Sequence, residues 1–311
     1  MPIFENLNEF MGQSVVDFDP EQGLDDPAGK SYRVRLDWNA YDSGARVPDL
    51  LRRLLDDPGA GNLRQLVIGA WDFEQSHDSS GIIELLVASR AKLHGLEALF
   101  FGDIISEETE ISWIQQADFS PLLLAFPNLR ALRVRGSPPP PEGALRHLAL
   151  EHFALETGGL GQRVTERIAR AHLPNLRHLE LWLGDSNYGY DGCLEALSPL
   201  LAGEGFPKLA YLGLRNCEDQ DAVAEGVARS GIIDRIQVLD LSLGTLSDAG
   251  ARALLDSGKL GRLKKLDIHH HYVSEPMLER LAEAVPALDA SDPQTVDRDG
   301  DESYRYVAVS E

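Results

Sequence analysis

Basic residues, cysteines and long apolar runs are all scarce in this chain, and each scarcity narrows its possible roles. Lys and Arg number 29 against 50 Asp and Glu, a formal charge of −21 over 311 residues. A surface of that sign repels phosphate backbones and anionic headgroups, so neither nucleic acid nor a membrane is expected as a partner. Solubility is the plain consequence, and attraction to a basic protein is the sharper one. No uninterrupted apolar stretch approaches the roughly 18 residues of a membrane-span candidate. The opening MPIFENLNEF places two Glu and no Lys or Arg among its apolar residues, so no secretory signal is read there. Cys193 and Cys217 are the two cysteines and form no CxxC pair, which points to thiols in a reduced, cytoplasmic compartment. Apolar residues at 43% and charged residues at 25% are ordinary for a folded protein.

What the chain has in abundance is a repeat. The motif L-x-x-L-x-L, with Ile, Val or Phe as substitutes, occurs as LRQLVI (Leu63, Leu66, Ile68), LEALFF (Leu96, Leu99, Phe101) and LRALRV (Leu129, Leu132, Val134). It continues as LRHLAL (Leu145, Leu148, Leu150), LRHLEL (Leu176, Leu179, Leu181), LAYLGL (Leu209, Leu212, Leu214), IQVLDL (Ile236, Leu239, Leu241) and LKKLDI (Leu263, Leu266, Ile268). The middle leucines are spaced by 33, 33, 16, 31, 33, 27 and 27 residues. Leucine-rich repeats run about 20–29 residues, so the longer intervals carry extended loops. The interval of 16 is too short for a strand and a helix, and it contains Pro138 to Pro141, which cannot enter a helix. A bare loop is expected there.

Alternate leucines face one side of a strand. Between strands the period changes: Leu278, Leu281, Ala282 and Val285 mark a helix stripe, with Ser274 at its cap and Pro276 in its first turn. LSDAGARALLDSG reads as another helix, capped by Ser247 and ended by Gly258, with a stripe of Gly250, Ala253 and Leu254; Ile82, Leu85 and Leu86 form a further stripe. The expected fold class is α/β, a leucine-rich-repeat solenoid forming a curved horseshoe with parallel strands on the concave face and helices on the convex face. Residues 1–30 are read as an N-terminal cap, 31–290 as the solenoid and 291–311 as an acidic tail with a candidate closing strand at Tyr304 to Val309. SYRVRLDW is the first strand, with Val34 taken as the counterpart of Leu66. Residues 103–120 form a long insertion, the kind of loop that often carries function, although Trp113 and Ile114 also suit packing.

The C-terminal units resemble ribonuclease-inhibitor-type repeats. More narrowly, EISWIQQAD (110–118), LVIGAWD (66–72), LWLGDSNYG (181–189), LDIHHHYVSE (266–275) and the closing YRYVAV resemble an uncharacterised family of bacterial leucine-rich-repeat proteins. The resemblance implies the fold, and it implies a place beside radical-SAM-like and ATP-grasp-like enzymes, hence an accessory or scaffold role in a modification pathway. One departure stands out. The usual repeat has Asn three residues after its last leucine, whereas this chain has Trp71, Ile104, Ser137, Phe153, Gly184, Cys217, Gly244 and His271 there. The turns must be satisfied in another way.

Residues flanking the strand leucines define the expected partner-binding face: Phe100, Arg133, Arg135, His178, Glu180, Trp182, Tyr211, Arg215, Asp240, Asp267 and His269, with Arg33, Arg35, Asp37, His147, Glu151 and Lys265 in the same positions. Aromatic residues and Arg of this kind are what binding hot spots favour. A second set lies where strands end, along one rim: Trp71, Asp72, Asp103, Asp185, Asn187, Asn216, Glu218, His270, His271 and Tyr272. His269 to His271 lack the spacing of dedicated zinc motifs, and three successive side chains diverge, so no metal and no cofactor is assigned. GGLGQR (158–163) lacks the third glycine of a dinucleotide fingerprint, and DRDGDE (297–302) misplaces the glycine and closing Glu of a calcium loop. No GxSxG, HExxH or Walker sequence occurs. The leading expectation is a non-enzymatic scaffold that holds a protein partner. The alternatives are a metal- or substrate-binding enzyme subunit built on the His-rich rim and an acidic inhibitor of a basic enzyme.

Overall fold

A strand whose leucines alternate to one side and whose chain returns through a helix or loop must lie parallel to the next strand. The computed structural model, which describes residues 3–192, 194–300 and 302–311, has this arrangement in two compact units. The first, ending at Leu155, contains β1 (Glu9–Phe10), β2 (Gln13–Asp17), β3 (Ser31–Val34), α1 (Trp38–Asp42), α2 (Val47–Leu55), β4 (Gln65–Gly69), α3 (Ser80–Ala88), β5 (Ala98–Asp103), α4 (Ser120–Ala125) and β6 (Ala131–Arg135). Strand β7 (His152–Glu156) runs up to the boundary. The second, Glu156–Ser310, contains α5 (Gln162–Ala169), β8 (His178–Gly184), α6 (Ser198–Leu201), β9 (Tyr211–Cys217), α7 (Gln220–Arg229), β10 (Val238–Asp240), α8 (Asp248–Asp256), β11 (Lys265–Asp267), α9 (Glu275–Ala284), β12 (Leu288–Asp289), β13 (Asp297–Asp299) and β14 (Glu302–Tyr304). Cys193 lies outside the described residues, and Cys217 is buried.

Within each unit the strands lie side by side in chain order, parallel from β2 to β6 and from β8 to β12. This is the α/β architecture of a leucine-rich-repeat solenoid. Leu66, Leu99 and Leu132 stand in register, as do Leu179, Leu212, Leu239 and Leu266, and all are buried. No helix among the described residues is long and apolar enough to cross a membrane.

Several sequence expectations need adjusting. Leu148 is 68% exposed, and the repeat's strand is instead LEHFAL, with Leu150, Phe153 and Leu155 buried. The interval of 16 therefore becomes 21, from Leu132 to Phe153, followed by 26 to Leu179. His147 enforces this register: its Nε2 bonds to Phe126 O and its Nδ1 accepts the amides of Ala149 and Leu150, so it caps a turn. The Pro138–Pro141 segment carries no helix, as expected. On β3 it is Tyr32 that pairs with Leu66, and Val34 pairs with Ile68, two residues from the anticipated register but on the same face. In α9 the buried residues are Met277 and Leu281, followed by buried Val285 just past the helix end, while Ala282 is exposed. Ser247 caps α8 through Ala249 N; Ser274 bonds to Asp248 instead of its own helix. In the insertion Ile114 is buried and Trp113 is 52% exposed.

In place of an asparagine ladder, varied side chains reach the strand-end carbonyls. Gln116 donates to Arg135 O, Thr157 to Trp182 O, Gln220 to Leu214 O and Thr245 to Glu218 O.

Both chain ends return to the repeats. In the first unit, Leu7, Phe10 and Val15 pack on Val67, Ala98, Phe100 and Ala131, on the side of the sheet opposite the leucines. Strands β4 and β5 are consequently buried on both faces. Polar contacts hold this arm. Asp103 accepts the Leu7 amide at 3.2 Å, Asn6 donates to Asp103 O, Arg33 bridges Leu7 O, Asp17 and Asp103, and Arg35 donates to Asn6 at 2.6 Å. In the second unit the tail anticipated as a closing strand is a β13–β14 hairpin followed by an irregular segment. Val307 and Val309 are buried, Ala308 N bonds to Leu243 O, and Asn216 clamps Val309 through both its amide nitrogen and its oxygen. Asn216 sits at φ 54°, a left-handed conformation that Asn tolerates better than most residues.

Candidate functional site

Strand alternation in the second unit turns one set of side chains away from the leucines, and the register stacks them in three rows. The first row holds His178, Tyr211, Val238 and Lys265. The second holds Glu180, Gly213, Asp240, Asp267 and Asp289. The third begins with Trp182 beside Arg215 and continues through Ser242 to His269. Four of the five positions in the middle row are carboxylates.

These groups form a connected network. The His178 and Tyr211 rings stack at 3.8 Å with 6° between planes. Tyr211 Oη donates to Asp240 at 2.6 Å across Gly213, where an added Cβ would crowd the Tyr211 ring at 3.1 Å. Arg215 donates to Glu180 at 2.6 Å and to Ser242 at 2.8 Å, lies 3.3 Å from Asp240, and passes 5.4 Å from the Trp182 ring. Trp182 Nε1 donates to Glu180 at 2.7 Å. Further along, Lys265 Nζ bridges Asp267 at 2.8 Å and Asp289 at 3.2 Å, and His269 Nδ1 lies 2.7 Å from Asp267. His178, Glu180, Tyr211, Arg215, Val238, Lys265, His269 and Asp289 are each partly exposed, whereas Trp182, Asp240, Ser242 and Asp267 are buried, so the face presents an exposed first row beside a partly buried acidic one.

The electrostatics follow from burial and pairing. Burial raises the Tyr211 hydroxyl pKa, and the neighbouring Glu180 and Asp240 charges raise it further. Burial works against the Arg215 charge, but Glu180 and Asp240 outweigh it and push its pKa up. Burial opposes ionisation of Asp267, yet hydrogen bonds from His269 and Lys265 prevail and hold its carboxyl well below the usual range. The Asp267 hydrogen bond raises His269 above 6.5. An imidazolium favoured in the fold contributes stability that is complete below pH 6.5 and is lost as pH rises through the folded pKa. His271 is the reverse case. Burial lowers its pKa, so stability falls as pH drops below 6.5 through the folded value. A histidine-selective NMR titration is expected to show the His269 midpoint above 6.5, returning toward it in Asp267→Asn. A midpoint unmoved by that substitution would contradict the pairing.

The other anticipated residues are placed differently. Phe100 is fully buried, 6.0 Å from Phe10 on one side and 4.6 Å from the Arg133 guanidinium. Arg135 and Asp103 are buried in the same region, where Arg135 donates to Ile104 O. On the rim, Asp72 and Trp71 belong to the wall of a loop, and Asp185 caps a short turn through Asn187 N. Asn216, His270 and Tyr272 hold the C-terminal tail, the last two through Tyr306 O. His271 is buried, donating from Nε2 to Ala290 O and accepting the Val273 amide at Nδ1. The three histidines do not converge. Asp289, Ser242 and the tyrosine-admitting gap at Gly213 went unrecognised in the sequence, though the alternation of β9 already marks Gly213 as outward.

A crystal structure of a Bacteroides fragilis protein, a structural-genomics target, matches with a TM-score of 0.79 and 34% identity over 89% of this chain and 76% of that one. An internalin of Listeria monocytogenes matches at 15% identity and a TM-score of 0.37, over 78% of this chain and 56% of that one. No family model matches the chain, and no curated protein does.

Proposed function

The chain belongs to one family with the Bacteroides fragilis protein, and since a shared fold does not define an activity, we propose a function from the open strand face of the second unit. That face binds an extended, basic segment of a protein partner, and the protein acts as a non-enzymatic scaffold or accessory. The row Glu180, Asp240, Asp267 and Asp289 carries this reading. Adjacent strands are about 4.8 Å apart, so β8 to β12 span about 19 Å, the reach of about six residues of extended chain. Arg215, Lys265 and His269 hold the carboxylates in fixed positions, which reduces the ordering cost of binding. The stacked His178–Tyr211 pair supplies a rigid aromatic anchor. Enzymes of a modification pathway fit as partners, as does a basic enzyme held in an inhibited state.

Calorimetric titration with an acetylated, alternating Lys-Thr hexapeptide tests this. Binding is expected to weaken as salt rises and to fall about tenfold in Asp267→Asn/Asp289→Asn. A control, Asp49→Asn/Glu283→Gln, removes equal charge elsewhere and is expected to bind as wild type. Equal losses in both variants, or no binding, would refute the assignment.

A metal reading is favoured by one observation: ligand atoms of Asp267, His269 and Asp289 lie within 4.8 Å of one another. Lys265 already supplies positive charge between the two carboxylates. Stoichiometric zinc in untagged protein, lost in His269→Ala, would move the assignment to that reading.

A further inference from the structure

We infer that the first unit carries a second binding site, for a small organic anion with an apolar body, in a cavity at the carboxyl ends of β3 and β4. The cavity measures about 720 Å³ and is lined by Tyr41, Arg46, Pro48, Trp71, His77 and Ile82, among others. Ligand pockets span about 300–1,000 Å³. A space of this size exceeds a bare inorganic ion.

The wall is built rather than incidental. The Asp72 carboxylate accepts Tyr41 Oη at 2.8 Å and the amides of Glu74, Ser76 and His77, wrapping residues 72–77 around one charge. Those donors, with burial working against them, keep the carboxyl ionised and below its ordinary pKa. Its charge is therefore engaged by the wall. Trp71 is backed by Phe101 at 5.6 Å, so its ring is a fixed surface.

Arg46 supplies the recognition. Its guanidinium lies 4.5 Å over the Tyr41 ring, and Nη1 donates to Tyr41 O at 3.0 Å and Ala45 O at 2.7 Å. Nε and Nη2 take no part in these bonds. A guanidinium held in place with one edge open matches the geometry of a carboxylate. Trp71, Pro48 and Ile82 then favour an apolar or aromatic body. The class is an aromatic carboxylate, either a free metabolite or the carboxyl-terminal residue of a peptide.

Calorimetry with benzoate and with Gly-Gly-Phe separates the two sources, with benzamide and Gly-Gly-Phe amide as neutral controls. At least one carboxylate is expected to bind, its amide at least about tenfold more weakly, and Arg46→Gln to lose a similar factor. Gly81 lines the cavity and a Cβ added there meets nothing within 4 Å, so Gly81→Leu is expected to reach into the space and block binding. Both variants are expected to melt like wild type. No binding by either carboxylate, equal binding by the amides, or binding retained in both variants would overturn the site.

Discussion

Phe10→Ala is expected to destabilise the protein by about 3–5 kcal/mol, the range for truncating a buried Phe. Here the Phe10 ring packs with Leu7 and Val15 on Val67, Ala98, Phe100 and Ala131, a second core on the side of the sheet away from the leucines. Removing it leaves a void against Phe100 and admits water beside Asp103 and Arg33, whose ion pair at 2.9 Å is buried. Urea unfolding measures the loss. A change below about 0.5 kcal/mol, typical of a surface substitution, would mean that the arm lies on the sheet without packing there.

Arg215→Ala is expected to cost a comparable amount, about 3–5 kcal/mol, because it removes the guanidinium that Glu180 and Asp240 share and leaves two poorly hydrated carboxylates without that charge. The Glu180 and Asp240 side chains are 13% and 6% exposed, so water screens them poorly. The expected signature is non-additive. In a Glu180→Gln/Asp240→Asn background the same Arg215→Ala step costs much less, since no buried charge is left unpaired. Equal costs in the two backgrounds would show that Arg215 contributes through packing on Trp182 instead. Lys265→Ala provides the contrast. Its side chain is 40% exposed, and exposed pairs contribute about 1 kcal/mol or less.

The strands were legible because leucine alternation states both where a strand lies and which side it buries. At Leu148 the pattern is ambiguous for a definite reason: RHLAL and EHFAL carry the same alternation five residues apart, and only the His147 turn and the burial of Phe153 choose between them. Alternation also identified the outward set His178, Glu180, Trp182, Tyr211, Arg215, Asp240, Asp267 and His269, which the register brings into one network. It could not reveal what covers an outward residue. Phe100 points away from the leucines as anticipated, yet Leu7 and Phe10, which bury it, follow no repeat. Asn216, His270 and Tyr272 engage residues 306–309 for the same reason, since long-range closure by a chain end leaves no periodic signal. The cavity was hidden as well, because Tyr41 and Arg46 lie between repeats where no pattern constrains them.

The two termini thus occupy the first unit's face and part of the second unit's rim, while the second unit's face stays open. Hydrogen–deuterium exchange during the Lys-Thr peptide titration tests this division most directly. Added protection is predicted in segments 211–217, 238–242 and 265–269, with residues 3–17 unchanged. Protection or deprotection confined to residues 3–17 and β3–β5 would contradict it, because the peptide would then be displacing the arm from the first unit instead of binding the face of the second.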